Sequence, residues 1–406
     1  MVKVTKLTFV LLLTALLLVE PVFGSYSGGA NFWVAKAPMN QAKSHVGVAA
    51  VEGKIYAIGG LIEKGKEGNY AAIVVDANEE YDSQTDTWTL KKPMPFAMYG
   101  FAIAVFENKI YCMGSGLNQV YDPVTDSWEN KTPMPTEREF LKANTCNGKI
   151  YLVGGQIPGN YTTSNDTSLS LNEEYEPETD TWTTKAPIPF ATRAYASAVL
   201  NDKLYIFGGL QLDDERIEKL TQIYDPKNDS WSLGSSSPFV SAFAETGVTT
   251  GVKAPERVYL IDSGTLNYTS NQSYFPKNDT WRIGVAKPTS RMAFSVATLD
   301  DMFYAIGGRN FNYTVQWSSD FSVTEYALNE QYTPFGYGTV SATPTPAPTP
   351  SPSVNNTSQT GAMPTDFEEF VISPVVIAAS AASAVLIVLA TVIYFKHKRK
   401  ATQSAA

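Results

Sequence analysis

The sequence predicts an all-β protein built from a series of small, similar sheets, and two recurring patterns support this prediction. In the first pattern a tyrosine stands three residues before a Gly-Gly pair, as Tyr56 does before Gly59-Gly60. In the second, a tyrosine stands seven residues before a tryptophan, as Tyr81 does before Trp88. A period of roughly 20–50 residues is typical of arrays of supersecondary units. Further copies of the glycine pair are Gly154-Gly155, Gly208-Gly209 and Gly307-Gly308, and further tryptophans are Trp128, Trp182, Trp231 and Trp281.

Each copy of the pattern divides into four short predicted strands. The third copy contains the runs 139–146, 149–155, 172–176 and 181–185, which are separated by turn residues such as Asn147-Gly148. Short β-branched and aromatic runs between turn residues are typical of an antiparallel meander. Outside the two ends of the chain, the sequence shows no long amphipathic helix.

A hydrophobic strand, a Gly-Gly pair, a tyrosine and then a tryptophan, repeated in this order, resemble the kelch repeat over about residues 31–336. The resemblance implies a β-propeller in which each repeat is one blade, with glycines that let blades approach closely and aromatic rings between the blades. Worn copies at Gly114-Ser115 and Asp262-Ser263 bring the predicted number of blades to six. The last copy ends at Tyr332 without a tryptophan, so we expect Trp33 to lie on an N-terminal outer strand that closes the last blade.

The two ends of the chain predict an exported, membrane-anchored protein. Residues 1–24 combine a charged start with a short apolar run, which indicates a removed signal peptide or, alternatively, an uncleaved anchor. Residues 371–395 are long and apolar enough for one transmembrane helix. The tail 396–406 is basic and would stay in the cytoplasm. The Pro/Thr/Ser-rich residues 337–370 read as an extended stalk. This type I layout resembles surface proteins of archaea and bacteria.

Charge and composition are consistent with an exported glycoprotein. The net charge is −9 and charged residues make up only 17% of the chain, which argues against nucleic acid as a partner. Asn-x-Ser/Thr sequons are frequent, and we expect N-linked glycans at some of them. The candidate glycosylation sites are Asn130, Asn160, Asn165, Asn228, Asn267, Asn271, Asn278, Asn312, Asn355 and Asn356.

The remaining chemistry-bearing residues are few. Cys112 and Cys146 fall in neighbouring repeats, so either a disulfide between blades or two buried thiols is expected. His45 is the one histidine before the predicted span, which leaves no histidine-based metal centre, and we expect neither a metal nor a cofactor. The Asp-x-x-Thr-Asp turns at 82–86 and 122–126 suit turn capping better than calcium binding.

Binding residues are expected where the chain approaches the innermost strand of each blade. Strand directions put this segment on the same face as the loop between the second and third strands. We expect irregular loops there at 61–71, 156–170, 210–219 and 309–322, and we expect the stalk to leave from the opposite face. Near the rim of the central opening the candidates are Lys43, His45, Tyr99, Arg138, Glu139, Arg193 and Arg291. Either they bind an acidic glycan or a carboxylate, or their arginines bond to loop carbonyls between blades.

The sequence therefore favours a surface recognition module that binds an extracellular protein or glycan through its variable-loop face, and not an enzyme. The first alternative is a surface-tethered carbohydrate-active enzyme of mutarotase or epimerase type, for which Glu139 with Arg138, or Glu245, would supply acid–base groups. The second alternative is a structural protein of the cell envelope.

Overall fold

The computed structural model describes residues 31–66, 69–157, 168–210, 219–239, 241–262, 271–313 and 321–340. The regular secondary structure of these residues is β-strand, because short β-branched and aromatic runs alternate with turn residues. The strands are β1 (Phe32–Lys36), β2 (Gly47–Val51), β3 (Lys54–Ile58), β4 (Leu61–Lys66), β5 (Asn69–Val74), β6 (Asn78–Asp82), β7 (Thr87–Lys91), β8 (Ala102–Phe106), β9 (Lys109–Gly114), β10 (Leu117–Asp122), β11 (Ser127–Asn130), β12 (Ala143–Cys146), β13 (Lys149–Val153), β14 (Asn172–Glu176), β15 (Thr181–Thr184), β16 (Ala196–Leu200), β17 (Lys203–Phe207), β18 (Thr221–Asp225), β19 (Ser230–Gly234), β20 (Glu245–Thr249), β21 (Arg257–Ile261), β22 (Asn271–Phe275), β23 (Thr280–Gly284), β24 (Ser295–Leu299), β25 (Met302–Ile306), β26 (Arg309–Tyr313), β27 (Phe321–Glu325) and β28 (Asn329–Thr333).

In the described part of the chain, six four-stranded antiparallel sheets form the blades of a propeller. From the centre outwards, blades 1 to 6 are β2-β3-β6-β7, β8-β9-β10-β11, β12-β13-β14-β15, β16-β17-β18-β19, β20-β21-β22-β23 and β24-β25-β28-β1. Each innermost strand contacts the next, and β24 contacts β2, so the ring is closed. The expected all-β, six-bladed fold is confirmed.

Blade 6 joins the two ends of the propeller. Strand β1 pairs with β28, and Trp33 lies opposite Tyr332 with their ring centroids 5.0 Å apart. Trp88 and Tyr81 of blade 1 stand at the same distance, 5.0 Å. The N-terminal strand therefore takes the place of the missing outer strand, as expected, and the closing blade has no unpaired third strand. The indole nitrogen of Trp33 is buried without a hydrogen-bond partner, unlike that of Trp88.

A recurring aspartate fastens each of blades 1 to 5 to the one before it in the ring. In blade 1 the Tyr81 hydroxyl donates to Asp86 at 2.6 Å, and the Ala37 amide donates to the same carboxylate oxygen at 2.8 Å. The Trp88 indole completes the contact by donating to the Ala37 carbonyl at 2.8 Å. The same three bonds recur around Asp126, Asp180, Asp229 and Asp279. The Asp-x-x-Thr-Asp turns thus have a structural role between blades.

The Gly-Gly pairs lie where the backbones of neighbouring blades come closest. A Cβ atom on Gly59 would lie 2.5 Å from the Met98 carbonyl oxygen, and one on Gly154 would lie 2.4 Å from the Thr192 carbonyl oxygen. The second glycine of each pair donates its amide to the same carbonyl, at 2.8 Å for Gly60 and 2.9 Å for Gly155. A larger residue at these positions would therefore separate the blades.

The two faces of the propeller differ in what they carry. The Gly-Gly pairs and the segments that lead into the innermost strands share one face, where bridges join Ser44 to Leu61 and Arg193 to Leu210. We call this the long-loop face. Strand β28 runs away from it, with Tyr332 opposite Phe303, so the chain leaves the propeller on the opposite face. The expected strand directions are therefore confirmed. Residues 337–340, placed in the stalk by sequence, begin with a contact to blade 5, where the Gly338 amide donates to the Lys253 carbonyl at 2.7 Å.

Two of the expected irregular loops are strands, and this expectation was wrong. Strands β4 and β5 pair as a hairpin of blade 1, and β26 and β27 pair as a hairpin of blade 6. The two hairpins pair through β27 and β4 into a four-stranded sheet, which we call the seam sheet. Alternating apolar and polar residues favour strands in β26 and β27, but only the closing of the ring brings the two hairpins together.

The predicted signal peptide, transmembrane helix and cytoplasmic tail lie outside the described residues, as does most of the predicted stalk. Among the residues that the structure describes, no helix is long and apolar enough to cross a membrane.

Candidate functional site

The central opening on the long-loop face is bordered by the six segments that lead into the innermost strands. Each segment turns down into its blade at a residue with a left-handed backbone, and several of these residues are joined by amide–carbonyl bonds. His45 donates to Ala293 at 2.8 Å, and Phe243 donates to Ala194 at 2.7 Å. The six residues of this ring are His45, Gly100, Phe140, Ala194, Phe243 and Ala293.

Beneath this ring lies a cavity of about 100 Å³ that is lined from all six blades. Phe140 and Phe243 meet edge to face above it, with ring centroids 6.0 Å apart. Phe101, Tyr195 and Phe294 supply further apolar lining. The mouth of the opening is thus narrow and largely apolar.

An ion pair crosses the opening between blades 3 and 5. The Lys142 ammonium lies 2.5 Å from a Glu245 carboxylate oxygen. Burial raises the pKa of Glu245, and the charge of Lys142 opposes that rise. A second cavity, of about 150 Å³, adjoins this pair and is lined by polar groups that include Asn144 and Thr246. The Asn144 side-chain nitrogen is buried without a hydrogen-bond partner.

Three of the predicted rim cations lie inside the blades. Lys43, Arg138 and Arg291 are each at most 1% exposed. Lys43 lies 3.0 Å from Glu79, Arg138 lies 2.5 Å from Glu173, and Arg291 pairs with Glu330. This placement corrects the expectation that these side chains surround the opening, because their charges are neutralised within their own blades.

The cations also bond to backbone carbonyls, as the alternative sequence interpretation expected, but these carbonyls belong to the cation's own blade and do not connect two blades. Arg138 donates to the Gly154 carbonyl at 2.7 Å, and Arg291 donates to the Gly307 carbonyl at 2.7 Å. The Lys43 ammonium reaches the Ala57 carbonyl at 3.4 Å. Burial lowers the pKa of Lys43, while the charge of Glu79 opposes this shift.

Blades 2, 4 and 5 make the corresponding connection without charge. The cation position is occupied there by Met98, Thr192 and Ser241, and the glutamate position by a glutamine. In blade 4 the Gln222 side chain accepts from the Phe190 amide at 2.9 Å and donates to the Phe190 carbonyl at 3.0 Å. Gln119 bonds to Phe96 in the same way, and Gln272 accepts from the Phe239 amide.

The other four binding candidates remain on the long-loop face. Tyr99 is 44% exposed, and its ring lies 6.0 Å from that of His45. Burial, together with the charges of Arg309 and Lys142, lowers the pKa of His45 to about 3, so the imidazole is neutral at physiological pH. The remaining two candidates, Glu139 and Arg193, share one partner. Gln156 donates to Glu139 at 2.7 Å and accepts from Arg193.

A second cleft lies over blade 2, which lacks a long loop. Strands β9 and β10 are joined by the tight turn Ser115-Gly116 in place of a hairpin or extended loop. The cleft has a volume of about 100 Å³, and its lining includes Tyr99, Phe101, Glu137 and Glu139. The short turn therefore leaves a gap in the long-loop face.

Sequence reasoning missed the ring phenylalanines and Lys142. Lys142 and Glu245 occupy equivalent positions at the start of the innermost strand, and the other blades have small residues there. Phe140 and Phe243 likewise share one repeat position. A stricter alignment of the repeats would have singled out both pairs. The small residues are Gly47, Ala102, Ala196 and Ser295.

The predicted modification sites divide by burial. Asn130, Asn228 and Asn278 are exposed on outer strands and turns. Asn271 is 1% exposed at the start of β22, where neighbouring blades have buried polar residues, so its amide is not accessible in the folded protein. The side chain of Asn312 is outside the description, and so are Asn160, Asn165, Asn267, Asn355 and Asn356.

Cys112 and Cys146 are buried free thiols. They lie in different hydrophobic clusters, one between blades 1 and 2 and the other between blades 3 and 4. Of the two sequence alternatives, the structure shows the buried thiols. Among the described residues, no group of His, Cys, Asp and Glu is arranged to hold a metal ion.

Comparison with known proteins adds the following. The protein-family model for the Kelch motif matches residues 42–95, 138–189 and 191–238. Kelch-like protein 36 of Bos taurus is 29% identical over 221 residues, which cover 52% of this chain and 35% of that protein. Kelch-like protein terF of Aspergillus terreus is 30% identical over 187 residues, covering 46% and 31%. A zebrafish Kelch repeat and BTB domain-containing protein 8 is 31% identical over 94 residues, covering 23% and 15%.

The chain thus spans about a third or less of the length of these relatives, from 15% to 35%. The solved structure of YjhT superposes with a TM-score of 0.52 at 15% identity, covering 71% of this chain and 95% of that one, which shows a shared fold. This chain therefore carries Kelch motifs on a six-bladed β-propeller.

Proposed function

We propose that this protein is a cell-surface recognition module that binds an extracellular protein or glycan through the long-loop face. The observation that carries the proposal is a set of exposed apolar side chains on this face. Scattered single apolar residues are normal on a protein surface, whereas exposed aromatic residues are enriched at interaction sites, and four of the five on this face are aromatic. The group comprises Phe96 (55% exposed), Tyr99 (44%), Ile157 (54%), Phe190 (42%) and Phe243 (44%).

The scaffold holds the exposed apolar residues of the long-loop face in fixed positions, which favours binding. The segments that carry Phe96 and Phe190 are held by Gln119 and Gln222 through backbone bonds of 2.9–3.0 Å. Exposed residues on a rigid frame lose little conformational entropy when they bind. The chain leaves the propeller on the opposite face. With the predicted stalk and membrane span, this direction would present the long-loop face to the outside.

The proposal is tested by binding of the full-length chain to arrays of surface proteins and glycans. We expect Tyr99→Ala and Phe243→Ala each to weaken binding of the captured molecules by about tenfold, the usual cost of removing an aromatic anchor. Val124→Ala is the matched control, since Val124 is 75% exposed on the opposite face. If both face variants bind as well as the control, the long-loop face is not the recognition surface.

A second function is favoured by the pair in the central opening. Glu245 is a pocketed carboxylate whose pKa is raised by burial, and such groups often act as acids or bases. With Lys142 beside it, this site suits a surface-tethered carbohydrate-active enzyme of mutarotase or epimerase type. NMR exchange between sugar anomers measures that activity. Exchange that the wild type accelerates and Glu245→Gln does not would favour the enzyme; no acceleration by the wild type would remove it.

A further inference from the structure

Strand β5 is the outer edge of the seam sheet among the described residues, and its exposed side chains are apolar. The sheet order is β26-β27-β4-β5, so β5 pairs on one side only. Residues 71–74 are Ala-Ala-Ile-Val and all four are exposed, with Ile73 at 53% and Val74 at 39%. Natural proteins usually protect such edges with lysine, proline or a bulge, because an open edge recruits other strands. This stretch has none of those protections.

The register of the hairpin shows which backbone groups face the open side. The Val75 amide donates to the Gly60 carbonyl at 3.0 Å, and Ile73 lies opposite Ile62. Hydrogen-bonded positions alternate along an antiparallel pair. Ile73 therefore bonds towards β4, whereas Ala72 and Val74 direct their amide and carbonyl groups away from it.

The protein already uses the next position along this edge. The carbonyl of Asp76 accepts the amide of Met94 at 2.9 Å, from the segment that leads into blade 2. Asp76 has the same parity as Ala72 and Val74, so the three face one side. Beyond Met94 this segment carries Phe96 and Tyr99, both exposed. An added strand at Ala72 and Val74 would thus extend a line of pairing that the propeller itself begins.

We propose that β5 binds an extended segment of a partner protein by β-strand addition. An edge of this kind offers donors and acceptors that repeat along an extended backbone, which suits a polypeptide and not a glycan. A second copy of this chain is a poorer occupant, because the net charge of −9 opposes self-association and a short edge buries less than a stable dimer needs. The inference rests on the proposed recognition function and assigns its partner class.

The experiment compares two substitutions at Ala72 in the full-length chain. Ala72→Pro removes the outward amide and leaves the bonds to β4, and proline is tolerated at strand edges. Ala72→Ser keeps the amide and is the matched control. The probes are the surface-protein array and a synthetic eight-residue peptide of alternating valine and threonine. We expect Ala72→Pro to weaken binding about five- to tenfold, the effect of losing one backbone hydrogen bond. Ala72→Ser should bind as the wild type does.

A side-chain variant guards against misfolding of the hairpin. Ile73→Lys keeps every amide and adds a charge to the edge, so we expect it to weaken both probes as well. Hydrogen exchange of the wild type with the peptide should protect the amides of Ala72 and Val74. If array proteins bind and Ala72→Pro and Ile73→Lys leave that binding unchanged, strand addition is overturned while recognition by the long-loop face stands.

The peptide separates the two proposals. If no array protein or glycan binds the wild type, the recognition function fails, and peptide binding alone then decides whether β5 is a strand acceptor. Absence of peptide binding, or of protection at Ala72 and Val74, overturns the inference. Dimerisation of the wild type that Ala72→Pro abolishes would assign the edge to a second copy and also overturn it.

Discussion

Blades 1, 3 and 6 hold their lead-in segments with a buried ion pair, whereas blades 2, 4 and 5 do so with a neutral glutamine. The cation and the glutamate change together, since a glutamine accompanies Met98, Thr192 or Ser241. A buried glutamate without a cation would be an uncompensated charge, and a buried arginine facing a glutamine would be one too. The two classes of blade are therefore two complete solutions to one packing problem.

This difference explains why the sequence wrongly predicted that Lys43, Arg138 and Arg291 lie at the rim of the central opening. The arginines attract attention because they do not recur in every blade, and irregular residues in a repeat suggest function. Their irregularity follows instead from the alternation between charged and neutral connections, which is a matter of stability. The non-repeating residues that remain exposed, such as Tyr99 and Phe243, support the proposed recognition function of the long-loop face.

The largest expected effect comes from breaking a charged connection. Arg291→Ala leaves Glu330 buried without its cation, which should reduce the free energy of unfolding by about 3–5 kcal/mol. Gln222→Ala in a neutral blade removes two uncharged bonds and should cost about 1–2 kcal/mol. Denaturant unfolding measures both, with the exposed Lys227→Ala as control. Equal losses in the two blades would contradict the distinction between the classes.

Converting a neutral blade into a charged one tests the two classes of blade more directly than breaking a connection does. The expected change in the free energy of unfolding is intermediate. Gln222→Glu buries a carboxylate without a cation and should destabilise the protein by about 2–3 kcal/mol at neutral pH. Thr192 occupies the cation position, and adding Thr192→Arg should recover part of that loss. A double-mutant cycle gives the coupling. An unfolding energy for the double variant that equals the sum of the single changes would show that the two positions are independent.

The smallest expected effect concerns a carboxylate without a cation of its own. Glu325 in the seam sheet faces Glu63 and Arg309, and burial raises its pKa to about 7, with Glu63 adding to the rise. Because the folded state keeps a proton that the unfolded chain has already released, this contribution is full below the ordinary glutamate pKa, falls as the pH rises above it, and is lost once the pH has passed about 7.

Hydrogen exchange of β4 and β26 between pH 5 and 8, corrected for intrinsic rates, measures this loss. Their protection should fall between about pH 5 and pH 7 and level off above pH 7, and Glu325→Gln should flatten the dependence. The ion-paired blades serve as an internal control, because Glu330 has Arg291 as its partner. A seam sheet whose protection follows that of β25 and β28 at every pH would show that Glu325 has no separate effect.

Much of the fold could be predicted from the sequence, because its determinants recur. The Tyr-Trp pairs and the glycine pairs act through local geometry that is the same in each blade. The last repeat has no tryptophan after Tyr332, and this gap identified Trp33 as the residue that fills the place. The candidate site could be predicted only in part. Whether an arginine points into the blade or into the opening depends on a glutamate about 35–40 residues away, at 35 positions for Arg138 and Glu173 and 39 for Arg291 and Glu330.

The sequence by itself determined the repeat, the number of blades, the closing strand and the direction in which the chain leaves the propeller. Period and strand direction are sufficient for these, since each blade repeats one backbone path. Only the tertiary structure decided that Lys43, Arg138 and Arg291 are buried, that Lys142 meets Glu245 across the opening, and that the hairpins of blades 1 and 6 form one sheet. The ion pairs of the three buried cations join segments of one blade that are separated by a variable loop, and the other contacts join distant repeats or opposite ends of the chain. No local pattern specifies which of these residues meet when the ring closes.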